Sequence, residues 1–202
     1  MEIANKLEQP IQILLPTPLQ VGTVNAWLLR GAEPALVDVG PRAEMSWEAL
    51  VAGLAVHGLA LSDLRHVFIT HAHVDHYGNA ARLAEAAPDA IFYAPDLAHA
   101  RPTLLDLDEE WERHLTFTGL ALRASGVPEE LVQQGRTNHG FLRGLASAVP
   151  VARWVHPGER LWFGEGSLWE VVALPGHSMT QVGLRQVEVS FLIAADHLLP
   201  RI

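Results

Sequence analysis

The sequence predicts a single domain of the α+β class, and three features of its texture predict it. Short apolar runs bounded by turn residues fill residues 11 to 95 and alternate with stretches of helical period. A block over 96–148 is helical in texture, and beyond it the chain returns to strand-like runs joined by glycine-bearing turns. There is no linker-like stretch, repeat or low-complexity tract. At 202 residues, with 49% hydrophobic and 18% charged composition, the chain suits one domain with a substantial core.

In order, "IQILLP" (11–16), "VNAWLLR" (24–30) and "PALVDVG" (34–40) fit strands, and "DVGP" is a strong turn signal. Trp47, Leu50, Val51 and Leu54 recur at helical spacing across 44–58, with Gly58 as the stop. "HVFIT" (66–70) reads as a strand, 76–87 as a helix carrying Leu83 inward, and "AIFYAP" (90–95) as another strand. This β–α–β–α–β alternation places residues 71–76 where a strand gives way to a helix, the edge at which open sheets build their sites.

In the helical block, Leu104, Leu107, Trp111 and Leu115 make a packing face at spacings of three and four, and "SGVPEELVQQ" marks a break and a new helix. "ERLWFGEGSLWEVVALPGHS" (159–178) reads as a hairpin turning at Gly-Glu-Gly-Ser. "VGLRQVEVSFLIAADH" (182–197) reads as two further strands.

Composition excludes several classes of function. A net charge of −9, one lysine (Lys6) and scattered arginines argue against nucleic acid and membrane surfaces as partners, because both need clustered cations. No apolar run approaches the roughly 20 residues of a membrane span. The opening "MEIANKLEQP" lacks a basic head followed by an apolar segment, so a cytoplasmic protein is expected. A small-molecule substrate is the expected partner, and a homodimer is admissible. With no cysteine, a metal must be held by His and Asp.

"HAHVDH" offers such ligands: His71, His73, Asp75 and His76 lie within six positions. His71 and His73 alternate along an extended loop, so both side chains can leave the same side. Imidazole nitrogens and carboxylate oxygens are what zinc accepts, and a catalytic zinc keeps a position open for water. No G-x-S-x-G elbow competes for the chemistry.

"THAHVDHYG" resembles the THxHxDHxxG signature of the metallo-β-lactamase superfamily. "ALVDVG", "LPGHS" and "FLIAADH" resemble its other motifs and follow in the family's order. The resemblance implies a four-layer αββα sandwich, interrupted here by the helical block. It implies that His71, His73 and His177 hold one metal, that Asp75 and His76 hold a second, and that Asp196 bridges them. Asp38 would orient a ligand histidine, and Asp75 would orient the nucleophile or take its proton. Two Zn2+ ions are the implied cofactors, with Mn2+ or Fe2+ as alternatives.

The family takes one more histidine for the second metal from a loop well downstream of the bridging aspartate, whereas this chain stops six residues after Asp196, at "HLLPRI". That ending reads as a cut-off, so a missing C-terminal part is expected, and the adjacent His197 is not expected to replace the ligand. His139 and His156 flank the end of the helical block but lack ligand spacing and are not counted among the site residues. The implied reaction is hydrolysis of an ester, thioester, lactone or related bond by a metal-activated water. The family also contains phosphodiesterases and nucleases, non-catalytic members, and persulfide dioxygenases using one iron, which here would be held by His71, His177 and Asp196. The block at 96–148 is expected to cover the site, and its Leu104, Leu105, Trp111, Phe117 and Phe141 point to an apolar acyl or ring-bearing substrate.

Overall fold

The computed structural model describes residues 9–97, 100–106, 108–189 and 191–198, with the side chains of 108–110 excepted. Lys6, His99 and Leu107 lie outside those residues.

Two sheets form the frame. In the larger, strands run in the order β1 (Ile11–Pro16), β2 (Thr23–Leu29), β3 (Ala35–Val37), β4 (His66–Phe68), β5 (Ile91–Pro95) and β6 (Arg153–Val155). The first three are antiparallel to their neighbours, and β3 to β6 are mutually parallel. The smaller sheet is antiparallel, in the order β10 (Leu192–Ile193), β9 (Val182–Gln186), β8 (Ser167–Ala173), β7 (Arg160–Phe163).

Successive residues of a strand face opposite ways, and here each way leads to a core. Leu36, Val67 and Phe92 pack beneath helices with Leu50, Leu54, Tyr77, Leu83 and Leu104. Their neighbours Val37, Phe68 and Tyr93 meet Phe163, Trp169, Val171 and Leu184 of the smaller sheet. Burial on both faces explains why these parallel strands read as unbroken apolar runs. The described helices contribute to the first core only. None of them is long and apolar enough to cross a membrane.

The helices are α1 (Glu44–Val56), α2 (Val74–Tyr77), α3 (Ala80–Ala86), α4 (Ala100–Leu104), α5 (Asp108–Ala124) and α6 (Glu129–Arg143). The expected helix over 76–87 is thus two short helices that divide at Gly78 and Asn79. Val51 is exposed, because it lies about 100° round α1 from buried Leu50. Strand β6 had no clear signal in "ARWVH". The strand expected over 34–40 is only three residues long, because Asp38 turns the chain into a left-handed conformation.

That early exit matters for the site. Strands β3 and β4 run parallel, so Asp38 and Thr70 leave the sheet at the same edge. Strand β9 begins there too, with its Val182 N–H bonded to the Thr70 carbonyl (3.0 Å). The loop bearing His177 is thereby drawn in from the other sheet.

Candidate metal centre

Asp38 organises the edge. Its φ of 61° is costly for a residue with a side chain, and the Phe68 carbonyl accepts its N–H at 2.9 Å. The carboxylate accepts three hydrogen bonds of 2.8 Å, from the Thr70 N–H, the Thr70 hydroxyl and His76 Nδ1–H. Because the Thr70 proton is committed to Asp38, its Oγ1 accepts from His71 Nδ1–H at 3.0 Å. One carboxylate therefore orients two imidazoles through their Nδ1 atoms and turns both Nε2 atoms toward the same space.

Those two Nε2 atoms are buried and have no hydrogen-bond partner. Leaving such atoms unmatched costs about 1–3 kcal/mol each, which is a reason to expect a partner that is not protein. The surrounding spacing fits a metal ion. Ligand atoms around a tetrahedral zinc with bonds of about 2.0–2.1 Å lie roughly 3.3 Å apart. Asp196 Oδ2 stands 3.3 Å from His76 Nε2 and 3.4 Å from His177 Nε2. His177 Nε2 lies 2.9 Å from His73 Nδ1. Among the described residues, two sets of three ligand atoms converge within 4.8 Å: His71, His73 and His177, and His71, His76 and Asp196. The nitrogen and carboxylate donors, their spacing and the two orphaned atoms all fit a divalent ion.

Electrostatics agree. Burial lowers the pKa of His71, and the neighbouring His76, His73 and His177 lower it further. His73 is also lowered, by burial first and then by His177. Both are thereby held in the neutral form that a metal requires. His76 is the exception: burial alone would lower it, but Asp38 and Asp196 raise it to about 10. Burial would raise Asp196, yet His76, whose Nε2 lies 3.3 Å away, and the charges of His177 and His73 hold it low.

The structure brings His71, His73, His76, His177, Asp38 and Asp196 together. Asp75 stands at the margin, with its carboxylate 4.0 Å from His76 Nε2 and in neither converging set. His197 is exposed and also lies outside both sets. Its ring approaches Gly176, whose φ of 151° suits glycine. Of the two flanking histidines, His139 packs on His114, and His156 lies 3.7 Å from Asp96.

Sequence reasoning undervalued three residues. Thr70 relays Asp38 to His71. Thr180 Oγ1 accepts the Ala72 N–H at 3.3 Å, tying the His177 loop to the HAH segment. Buried Asn79 bonds the Val39 and Gly40 carbonyls, clamping the turn after Asp38. Each is a small polar residue near a motif, a signal too common to stand out.

Residues 19–202 match the model of a family described as the metallo-beta-lactamase superfamily. A Bacillus subtilis (strain 168) protein described as the probable metallo-hydrolase YqjP is 28% identical across 95% of this chain and 58% of that protein. Among solved structures, a metallo-beta-lactamase family protein of Thermus thermophilus, TTHA1429, superposes with a TM-score of 0.80 at 26% identity, over 96% of this chain and 60% of that one. A beta-lactamase domain protein from Burkholderia ambifaria gives 0.67 at 23%, over 100% and 57%; at that identity the likeness speaks for the fold. The chain therefore spans somewhat under two thirds of the length of these relatives.

Proposed function

This chain belongs to the metallo-β-lactamase superfamily, and we propose that it is a metal-dependent hydrolase acting on an ester, thioester, lactone or related bond of a small molecule. The observation that carries the reading is the buried Nε2 of His71, which has no protein partner, set with His76 Nε2 and Asp196 Oδ2 among ligand atoms at metal-ligand spacing. The description of the Bacillus relative as a probable metallo-hydrolase points the same way.

His71, His73 and His177 would hold one zinc ion, and His76 and Asp196, with Asp75 at the margin, would hold a second. When bound, zinc supplies a Lewis acid that brings the pKa of a water to about 7 and polarises a carbonyl or phosphoryl oxygen. The chain's own groups do the rest. Asp38 aims His76 directly and aims His71 through Thr70. Asp75, whose side chain is mostly buried beside His76, is placed to orient the attacking water or take its proton. His177 and Asp196 lie on the more open side, where substrate enters.

The helices of the 96–148 block supply the cap in this reading. Leu104 is wholly buried in the core and takes no part. Phe117 and Phe141 are exposed and offer the apolar surface that an acyl or ring-bearing substrate would meet. The protein would work in the cytoplasm.

The test is elemental analysis of protein purified without added metal, followed by a panel of thioesters, lactones, phosphodiesters and β-lactams. Near two equivalents of zinc with turnover of an apolar ester or thioester is expected. A single iron, or turnover of phosphodiesters only, would overturn the reading.

A further inference from the structure

We propose that the root of the helical insertion is a positioning device for His76: Leu145 braces the α2 turn, Gly78 is the residue that lets it approach, and the Asp106–Arg143 pair fastens the root that carries Leu145. The proposal rests on the reading of His76 as a metal ligand.

Helix α2 is one turn of four residues, far shorter than a helix that holds itself together in water. Its orientation must come from what packs on it. One side is held by the turn after β3, through Val39 N–H to the His76 carbonyl (2.8 Å) and Asn79 N–H to the Gly40 carbonyl (3.0 Å). The other side meets the insertion. The Leu145 carbonyl, just beyond α6, accepts the Arg42 N–H at 2.7 Å, and that bond passes directly over Gly78. A Cβ on Gly78 would lie 2.2 Å from the Leu145 oxygen and 2.5 Å from the Arg42 nitrogen. These neighbours, and the Val74 carbonyl of α2 at 2.6 Å, are all backbone and none can swing aside, so any side chain here must shift the insertion, the Arg42 turn or α2 itself.

A second contact comes from the residue before Gly78. Tyr77 is almost wholly buried, in one core with Leu104, Leu145 and Val149. Arg143 Nε donates to Asp106 Oδ1 at 3.1 Å, joining the chain just after α4 to the end of α6. The Val149 N–H to Leu104 carbonyl bond, at 2.7 Å, closes the same root one layer deeper. Entry and exit of the insertion are thus fastened to each other and to the turn that carries His76.

The test is zinc affinity of the full chain, measured by competition with a chromogenic chelator, for wild type, Arg143→Ala, Asp106→Asn, Arg143→Lys and Gly78→Ala. Melts in excess chelator report the metal-free fold. Residues that orient ligands typically change metal affinity by about 10–100-fold. We expect Arg143→Ala, Asp106→Asn and Gly78→Ala to weaken the more loosely held zinc about tenfold. Arg143→Lys should recover most of that loss, and the metal-free melt of Asp106→Asn should hardly move. If Gly78→Ala does not fold, the Arg143 and Asp106 variants decide alone. Wild-type zinc binding with unchanged affinity in those variants overturns the positioning role and leaves the hydrolase reading intact. No divalent metal bound by wild type removes both.

Discussion

Strand β4 starts at one histidine and is followed, three residues past its end, by another, and the two differ in one respect. His66, at its start, has both ring nitrogens near protein partners: Nδ1 is 3.1 Å from the Tyr93 hydroxyl and Nε2 is 3.4 Å from a Glu33 carboxylate oxygen. The Phe163 ring packs against it at 5.1 Å. His71, beyond the other end, is wholly buried, yet only Nδ1 is matched and Nε2 meets no protein acceptor or donor. Burial lowers the pKa of both, so burial and titration do not distinguish them. The unmatched nitrogen does. A histidine whose hydrogen bonds close within the protein is architecture, and one held rigid with a lone pair pointing at nothing is aimed at a ligand.

Removing a ligand should break the comparison most severely. Structural zinc sites bind with roughly 10–16 kcal/mol shared over about four ligands, so each is worth about 3 kcal/mol, or roughly 100-fold in affinity. His71→Ala should therefore lose about two orders of magnitude in zinc affinity, whereas His66→Ala should leave it unchanged. Equal losses in a chelator competition would show that the orphaned nitrogen does not mark a ligand.

Asp38→Asn tests the support beneath the ligands and comes next. It weakens the carboxylate's grip on Thr70 and His76 while keeping the side chain's shape. A loss of about 10–100-fold in zinc affinity is expected. Thr70→Val should cost less, a few-fold, because it breaks the hydroxyl's bonds to Asp38 and His71 Nδ1 but leaves the Asp38–His76 bond in place. If Thr70→Val proved as damaging as Asp38→Asn, the relay to His71 would be the main duty of Asp38.

The sequence made one end of this strand legible and not the other. The strands through β5 and the approximate places of β7 to β10 could be read from apolar runs bounded by turn residues, and in the parallel strands, buried on both faces, those runs are unbroken. The ligand cluster could be read because four metal-binding side chains within six positions are rare. Thr70, Asn79 and Thr180 escaped because a single hydroxyl or amide gains its meaning only from what lies across the fold. The break at Gly78 escaped for the same reason. The Leu145 carbonyl that crowds Gly78 lies 67 positions along the chain, and no local pattern announces a contact with so distant a residue. His66 was placed correctly at a strand entrance, but its partners Glu33, Tyr93 and Phe163 come from three other segments.

The smallest expected effect tests whether the His66 end is architecture alone. Tyr93→Phe removes one hydrogen bond to His66 and should cost about 0.5–1.5 kcal/mol of stability with zinc affinity unchanged. A pH series sharpens the point. Burial holds the His66 pKa below its ordinary 6.5, with Glu33 opposing. As pH falls below 6.5, the unfolded chain takes up a proton that the folded chain resists, so the stability linked to His66 is present above that pH and lost below it. His71 and His73 shift the same way and would add to the acid loss of the metal-free protein. The difference between wild type and His66→Gln isolates the one residue. Denaturant unfolding in chelator at about pH 7.5 and about pH 5.5 should show the variant losing less stability than wild type across that interval. Equal losses would mean that the Glu33 carboxylate compensates fully for burial, and that the two ends of β4 differ electrostatically as well as in their hydrogen bonds.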